Sequence, residues 1–379
     1  LYAQLPLVYR RLFSVDPITD PGLAENRADD LGAVKDVLVR WSDGRGAGVL
    51  VVHGLLGSGR TSFLRLVDLE IRERFRTVRV SLDRRMTNEA ELAAHLAAAV
   101  LPDVAFAGGF EELEQAIEEQ VEERSTVVLV DNLEMALFQT PGGTDLLNRL
   151  LLFWIRTDDS VAWCASASTL AWQFAQKTAS GASRLTIPLA LTPWSTASIQ
   201  EMVLKRHRRT GIALEFAPPK DPSPITKQRL KRARSVQEAQ KILAAEFFDA
   251  LYKIAGQSPT RALFEWIRAG TFSEDGTVLV LDPIKPISFG YLQQFENDIA
   301  FTMRSFILHN SLTVEEHAQL FRTSQAGSLM AFETLLSAGL IESLEPSKRV
   351  AIEAGVRYRV RRLVLEPVVR SLQERHFVY

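Results

Sequence analysis

Residues 49–63 read Val-Leu-Val-Val-His-Gly-Leu-Leu-Gly-Ser-Gly-Arg-Thr-Ser-Phe: an apolar run ends at Gly54, and glycines recur at Gly57 and Gly59 before a helical pattern opens at Thr61 and Ser62. Strand, glycine turn and helix must therefore follow one another without a break. Glycines let the backbone bend so that successive N–H groups converge on phosphate oxygens, and the helix adds its positive N-terminal end. The spacing is that of a phosphate-binding loop (P-loop), with Arg60-Thr61 where Lys-Thr or Lys-Ser is usual. Gly54, Gly57, Ser58, Gly59, Arg60, Thr61 and Ser62 are the candidate phosphate contacts, and the Thr61 hydroxyl is a candidate Mg²⁺ ligand.

A Mg²⁺ ion in such a site needs a carboxylate at the end of a neighbouring buried strand. Thr126 to Val130 is a continuous apolar, β-branched run that ends in Asp131 and supplies it. Thr77 to Leu82, Val161 to Ala165 and Leu185 to Leu191 are further strand candidates, separated by helical patterns such as Glu89 to Leu101. Alternation of this kind predicts parallel βαβ units in an open sheet of five strands, with helices on both faces. Ligands of such sheets bind at the carboxyl ends of the strands, where Gly54, Asp131 and Ser166 all fall. The helix marked by Phe110, Leu113 and Ile117 carries glutamates on its other faces, the ordinary mark of a solvated surface. Trp41, Trp163, Trp172, Trp194 and Trp266 are assigned to the core, and His53 to packing.

A chain of 379 residues exceeds what one hydrophobic core supports, so several units are expected. Residues 1–24 read as an arm packed on the next domain, residues 25–194 as the P-loop core, and residues 195–275 as a helical lid. The lid holds an exposed proline loop from Pro218 to Pro224 and then Lys227, Arg229, Lys231, Arg232 and Arg234, the densest positive cluster. Residues 276–294 read as a linker, with a turn at Asp275-Gly276. Residues 295–379 predict three helices, the second capped by Ser311, and then strands at Leu340 to Leu344 and Tyr358 to Val364 flanking a turn that begins at Pro346 to Arg349. That is the plan of a winged helix.

The order of these motifs resembles that of the AAA+ and STAND ATPases, in particular their origin-recognition-like branch, over about residues 25–379. Arg27 with Asp30-Leu31 resembles the N-terminal motif that sits against the nucleotide base. Ser166 and Ser168 fall where that family keeps a polar sensor residue, and Gly256-Gln-Ser-Pro-Thr-Arg261 resembles its lid motif, with Pro259 and a sensor arginine, Arg261. The resemblance implies ATP or ADP with Mg²⁺ as cofactors, Thr61 and Asp131 as metal ligands, and Ser166 and Arg261 as reporters of the γ-phosphate. Arg261 also admits a plain reading as a surface arginine. Arg206, Arg208 and Arg209 admit a role as a finger for a neighbouring subunit or as a solvated helix end.

The departures from the family pattern carry the functional expectation. Arg60 replaces a compact lysine with a broad, forked guanidinium. Asn132 stands where these hydrolases place the glutamate that activates water, and a neutral amide cannot take a proton; Glu134 is the nearest carboxylate. The sequence therefore predicts a nucleotide-controlled switch with slow or absent hydrolysis, acting on a protein partner or through oligomerisation. The alternative is an ATP-dependent DNA-binding protein of initiator or transposition-regulator type. The helix that would enter a major groove, Ser328 to Ser337, has Glu333 as its only charge, so Lys227 to Arg234 or the wing (Lys348, Arg349, Arg357, Arg359, Arg361, Arg362) is the better nucleic-acid candidate. With near-zero net charge, any such footprint is local. The single cysteine, Cys164, suits a reducing compartment, and no apolar run spans a membrane. A cytoplasmic location follows as an expectation, with an effector or membrane tether outside this chain as another, since the sequence begins at Leu1.

Overall fold

The computed structural model describes residues 5–345 and 352–378. Its contacts divide the chain into two compact units, Leu1–Asn26 with Pro193–Tyr291, and Arg27–Thr192 with Leu292–Tyr379.

Arg27–Thr192 is built on a five-stranded sheet of β1 (Val49–Gly54), β2 (Arg76–Ser81), β3 (Thr126–Asp131), β4 (Val161–Ser168) and β5 (Ile187–Ala190), in the order β2-β3-β4-β1-β5. Every pairing is parallel. Successive side chains of a strand point to opposite faces, and β3 uses both. Val128 and Val130 join Trp163, Leu92, Ile117 and Trp154 on one side, while Val127 and Leu129 join Cys164, Trp41, Phe63 and Val67 on the other. Burial on both faces explains why β3 and β4 read as unbroken apolar runs. The helix Phe110–Gln120 buries Phe110, Leu113 and Ile117 and turns Glu111, Glu112, Glu118 and Glu119 outwards.

The other unit differs from the sequence reading in two ways. The N-terminal segment belongs to this unit and not to the P-loop core that follows it: Tyr9 and Phe13 are buried with Trp194, Phe248 and Trp266. Tyr9 is hydrogen-bonded to His207, and Phe13 stacks on Trp266 with centroids 6.2 Å apart. Arg206, neither a finger nor a solvated helix end, is buried and donates to the carbonyl of Leu12 at 2.6 Å. Second, the unit is not purely helical. Strands β6 (Ala213–Phe216), β7 (Gly270–Phe272) and β8 (Val278–Leu281) form a sheet in the order β6-β8-β7, so part of the expected linker is a paired strand. The basic cluster lies on the helix Pro224–Arg232, capped by Ser223, and ends just beyond it at Arg234.

The segment Leu292–Tyr379 contains the winged helix: helices Asn297–His309, Val314–Phe321 and Gln325–Ser337, then β9 (Ile341–Ser343) antiparallel to β10 (Tyr358–Val360). Thr313 caps the second helix in place of the expected Ser311, accepting from Glu316 N at 3.2 Å while Glu316 reaches back to Thr313 N. The wing strand stops at Val360, short of Val364, and the chain continues into a further helix, Leu365–Glu374. The turn expected at Pro346 to Arg349, with Lys348, lies outside the described residues. His317 ties the helices together, bridging Thr302 Oγ1 at 2.9 Å and Ser328 Oγ at 2.8 Å.

Candidate phosphate-binding site

The loop after β1 has the backbone its glycines require. Gly57 and Gly59 take φ of 81° and 96°, the left-handed region that disfavours a Cβ. A Cβ on Gly54 would lie 2.6 Å from Ser58 Oγ. Gly59 is the N-cap of the helix Arg60–Ile71 and no side chain caps it, so its first-turn N–H groups face the loop. Phe63, Leu64 and Val67 anchor that helix in the core. Thr61 and Ser62 lie in its first turn, partly exposed.

Arg27 and Asp30 are buried beside this loop. Arg27 donates to the carbonyl of Ser58 at 2.9 Å, to that of Thr192 at 2.8 Å, and to Asp30 at 3.2 Å. Asp30 in turn accepts from Thr192 N at 3.1 Å and Thr192 Oγ1 at 2.7 Å. Burial favours loss of Arg27's charge, and Asp30 opposes that loss.

Asp131, Asn132 and Ser166 meet at the carboxyl ends of β3 and β4. Ser166 donates its hydroxyl proton to Asp131, and the Asn132 N–H lies 3.1 Å from Asp131 Oδ1 and 3.3 Å from Ser166 Oγ. Asn132 has φ of 63° and starts the 3₁₀ turn Leu133–Ala136. Asparagine tolerates that left-handed backbone better than glutamate does, so the residue that forfeits a general base also aims the turn. Ser168, the second serine near the sensor position, is instead the cap of the helix Thr169–Thr178, accepting from Ala171 N at 3.1 Å.

The turn aims Glu134 into the protein. Its side chain is fully buried and lies against Arg60, whose guanidinium donates at 3.3 Å and 3.0 Å in a two-pronged pair. The Ser168 N–H adds a third contact at 3.3 Å. Glu134 thus faces the loop as the counter-ion of the residue that replaces the P-loop lysine.

Pro259 and Arg261 belong to the other compact unit. Pro259 is the first residue of the helix Pro259–Ala269, capped by Ser258. Arg261 is not the exposed arginine of the plain reading: its side chain is buried, ion-paired at 2.5 Å with Glu265 one turn along, and set against Phe264 and Phe289. His53 is half-buried, with Nδ1 3.4 Å from Thr169 Oγ1, and burial lowers its pKa.

Among the described residues, no group of three or more His, Cys, Asp or Glu side chains could hold a metal ion unaided. The donor set fits Mg²⁺ carried with a polyphosphate: one hydroxyl, Thr61, on the loop helix and one carboxylate, Asp131, at a strand end, with the remaining ligands left to phosphate and water. No helix among those residues is long and apolar enough to cross a membrane.

Residues 43–164 match the family model described as AAA domain. No curated protein matches the chain. Among solved structures it is similar to the Aeropyrum pernix ORC1 protein in complex with DNA, at 14% identity over 95% of this chain and 94% of that one, with a TM-score of 0.43. It is also similar to the Aeropyrum pernix ORC2 protein in ADPNP–ADP complexes (13% identity, 97% and 99% covered, TM-score 0.49). The CDC6P protein from Pyrobaculum aerophilum is a third such structure (12%, 96% and 98%, TM-score 0.48).

Proposed function

We propose, for a chain whose core is an AAA-type P-loop ATPase domain, that it is a nucleotide-controlled switch that binds ATP and turns it over slowly or not at all. Gly54, Gly57, Ser58, Gly59 and Arg60 form the phosphate cradle, with Ser62 beside them in the first turn of the helix. Thr61 and Asp131 hold Mg²⁺, which when bound neutralises phosphate charge. Ser166 is hydrogen-bonded to Asp131, which supports a role for it in sensing what occupies the metal site. Arg27 and Asp30 fix the loop from behind and stand on the base side.

The observation that carries this reading is the Arg60–Glu134 pair inside an otherwise intact loop. A hydrolysing site needs a free base beside the attacking water. Here Asn132 cannot serve, and Glu134 is occupied by Arg60. Calorimetry with ATP and Mg²⁺ tests the binding step: a saturable heat is expected, and no binding at millimolar nucleotide would overturn it.

A second reading, DNA contact, is favoured by one surface. In the helix Pro224–Arg232 and just beyond it, Lys227, Arg229, Lys231, Arg232 and Arg234 are all exposed. The groove-type helix Gln325–Ser337 instead exposes Met330 and Glu333 and has no lysine or arginine. Phosphate contacts give binding that weakens steeply with salt. A gel shift whose salt slope flattens when Lys227, Lys231 and Arg232 are changed to glutamine supports this reading; the absence of any shift at low salt refutes it.

A further inference from the structure

We infer that Arg85 is a positioning residue through which the phosphate-binding loop controls the docking of the winged helix on the core. Arg85 follows β2, and its side chain is almost wholly buried. Its guanidinium donates to the carbonyls of Glu134 at 3.1 Å and Leu137 on one side. On the other it reaches the carbonyls of His309 and Ser311, both at 3.3 Å, and lies 3.5 Å from the Glu316 carboxylate. Arg357 of the wing shares Glu316 and also donates to Ser311 O at 3.2 Å. One side chain therefore clamps the 3₁₀ turn to the start of the winged helix's second helix. All of these residues lie in the same compact unit.

The clamped turn is the one that aims Glu134 at Arg60. Arg60, Arg85 and Arg357 share two carboxylates, Glu134 and Glu316, so the buried cluster carries an excess positive charge that a phosphate at the loop would offset. His309 beside it adds none, because burial and the neighbouring Arg85, Arg304 and Arg357 keep it neutral. When a phosphate draws Arg60 away, the Ser168 N–H is the one hydrogen-bond donor that Glu134 keeps among the described residues. A buried carboxylate stripped of its cation is strongly unfavourable. The nearest relief is for the turn to re-aim Glu134 towards Arg85, which pulls that guanidinium off Glu316 and the 309–311 carbonyls. Nucleotide binding then loosens the winged helix.

This inference rests on the reading that the loop binds ATP, and the test separates the two. Hydrogen–deuterium exchange of residues 309–316 is followed in the full chain, with calorimetry alongside. Adding ATP and Mg²⁺ should raise exchange there about tenfold, and Arg60→Gln, which strips Glu134 of its cation and leaves the carboxylate in place, should do so with no nucleotide present. Coupling free energies are reciprocal, so Glu316→Gln, which weakens the hold of the winged helix on Arg85 and frees that guanidinium for Glu134, should tighten ATP binding by a similar factor, an effect that a purely structural anchor would not produce. Failure of ATP to bind overturns the binding reading alone. A folded Arg60→Gln with unchanged exchange at 309–316 overturns the relay; if that variant does not fold, Glu134→Gln, which removes the carboxylate that pulls Arg85, should abolish the rise on adding ATP, and a rise equal to the parent's overturns the relay.

Discussion

Restoring the usual lysine, Arg60→Lys, should lower the stability of the free protein and raise its affinity for nucleotide. Arg60 and Glu134 are joined by two hydrogen bonds at 3.3 Å and 3.0 Å, with side chains 8% and 0% exposed. Lysine keeps the positive charge, so Glu134 is not stranded and the full penalty of a broken buried pair, about 3–5 kcal/mol, is avoided. What is lost is one charge-assisted hydrogen bond of a fork that a point charge cannot reproduce, about 1.5–3 kcal/mol. In urea unfolding this corresponds to a midpoint lower by roughly 0.5–1 M. The same free energy no longer opposes transfer of the cation to phosphate, so the Kd for ATP with Mg²⁺ should fall by about tenfold or more. Hydrolysis should stay slow, because Asn132 is unchanged. Calorimetry and urea titration on the same preparation decide it: a variant that binds ATP more weakly than the parent, at unchanged stability, refutes the view that Glu134 holds Arg60 back.

Two further outcomes follow from buried groups. Arg27→Ala should destabilise the core unit by about 3 kcal/mol or more, since it leaves buried Asp30 without its cation and frees the carbonyls of Ser58 and Thr192; a urea midpoint equal to the parent's would contradict this. His317, held neutral by burial, has its pKa lowered to about 4, and burial also holds His309 well below its ordinary range. Their unfolded forms take up a proton first, near pH 6.5, so the stability they contribute is complete above that value. It should fall as pH drops from about 6.5 towards 4, by up to about 3 kcal/mol for His317. Replacing His317 with Gln should flatten that slope in unfolding midpoints measured at pH 7 and pH 5.

The central strands were legible because their burial on both faces writes itself as β-branched runs, and Asp131 marks where one of them reaches the surface. The strands β6 and β8 were not: each is four residues long, and they pair across most of the second unit, so no local period announces them. The helix Leu365–Glu374 was lost because Tyr358 to Val364 continues the strand pattern past Val360, where the ladder ends. In the site, spacing named the loop, Asp131 and Ser166. Pairing of Arg60 with Glu134 depends on a left-handed Asn132 and a turn that only the folded backbone supplies. An arginine in the lysine position and a glutamate three residues past the strand-end aspartate were the available signals. Arg85 gave none, since its partners are mostly backbone carbonyls distant in sequence.

The claim that this loop holds nucleotide more than it consumes it is tested most directly by identifying the nucleotide that stays bound. The chain is loaded with ATP and Mg²⁺ in single-turnover amounts, freed of excess, incubated, then denatured, and the released nucleotide is resolved by chromatography. Bound ATP that persists for hours, with Asn132→Glu accelerating its loss, is the predicted result. Conversion of the bound ATP to ADP within seconds in the parent chain would contradict the account.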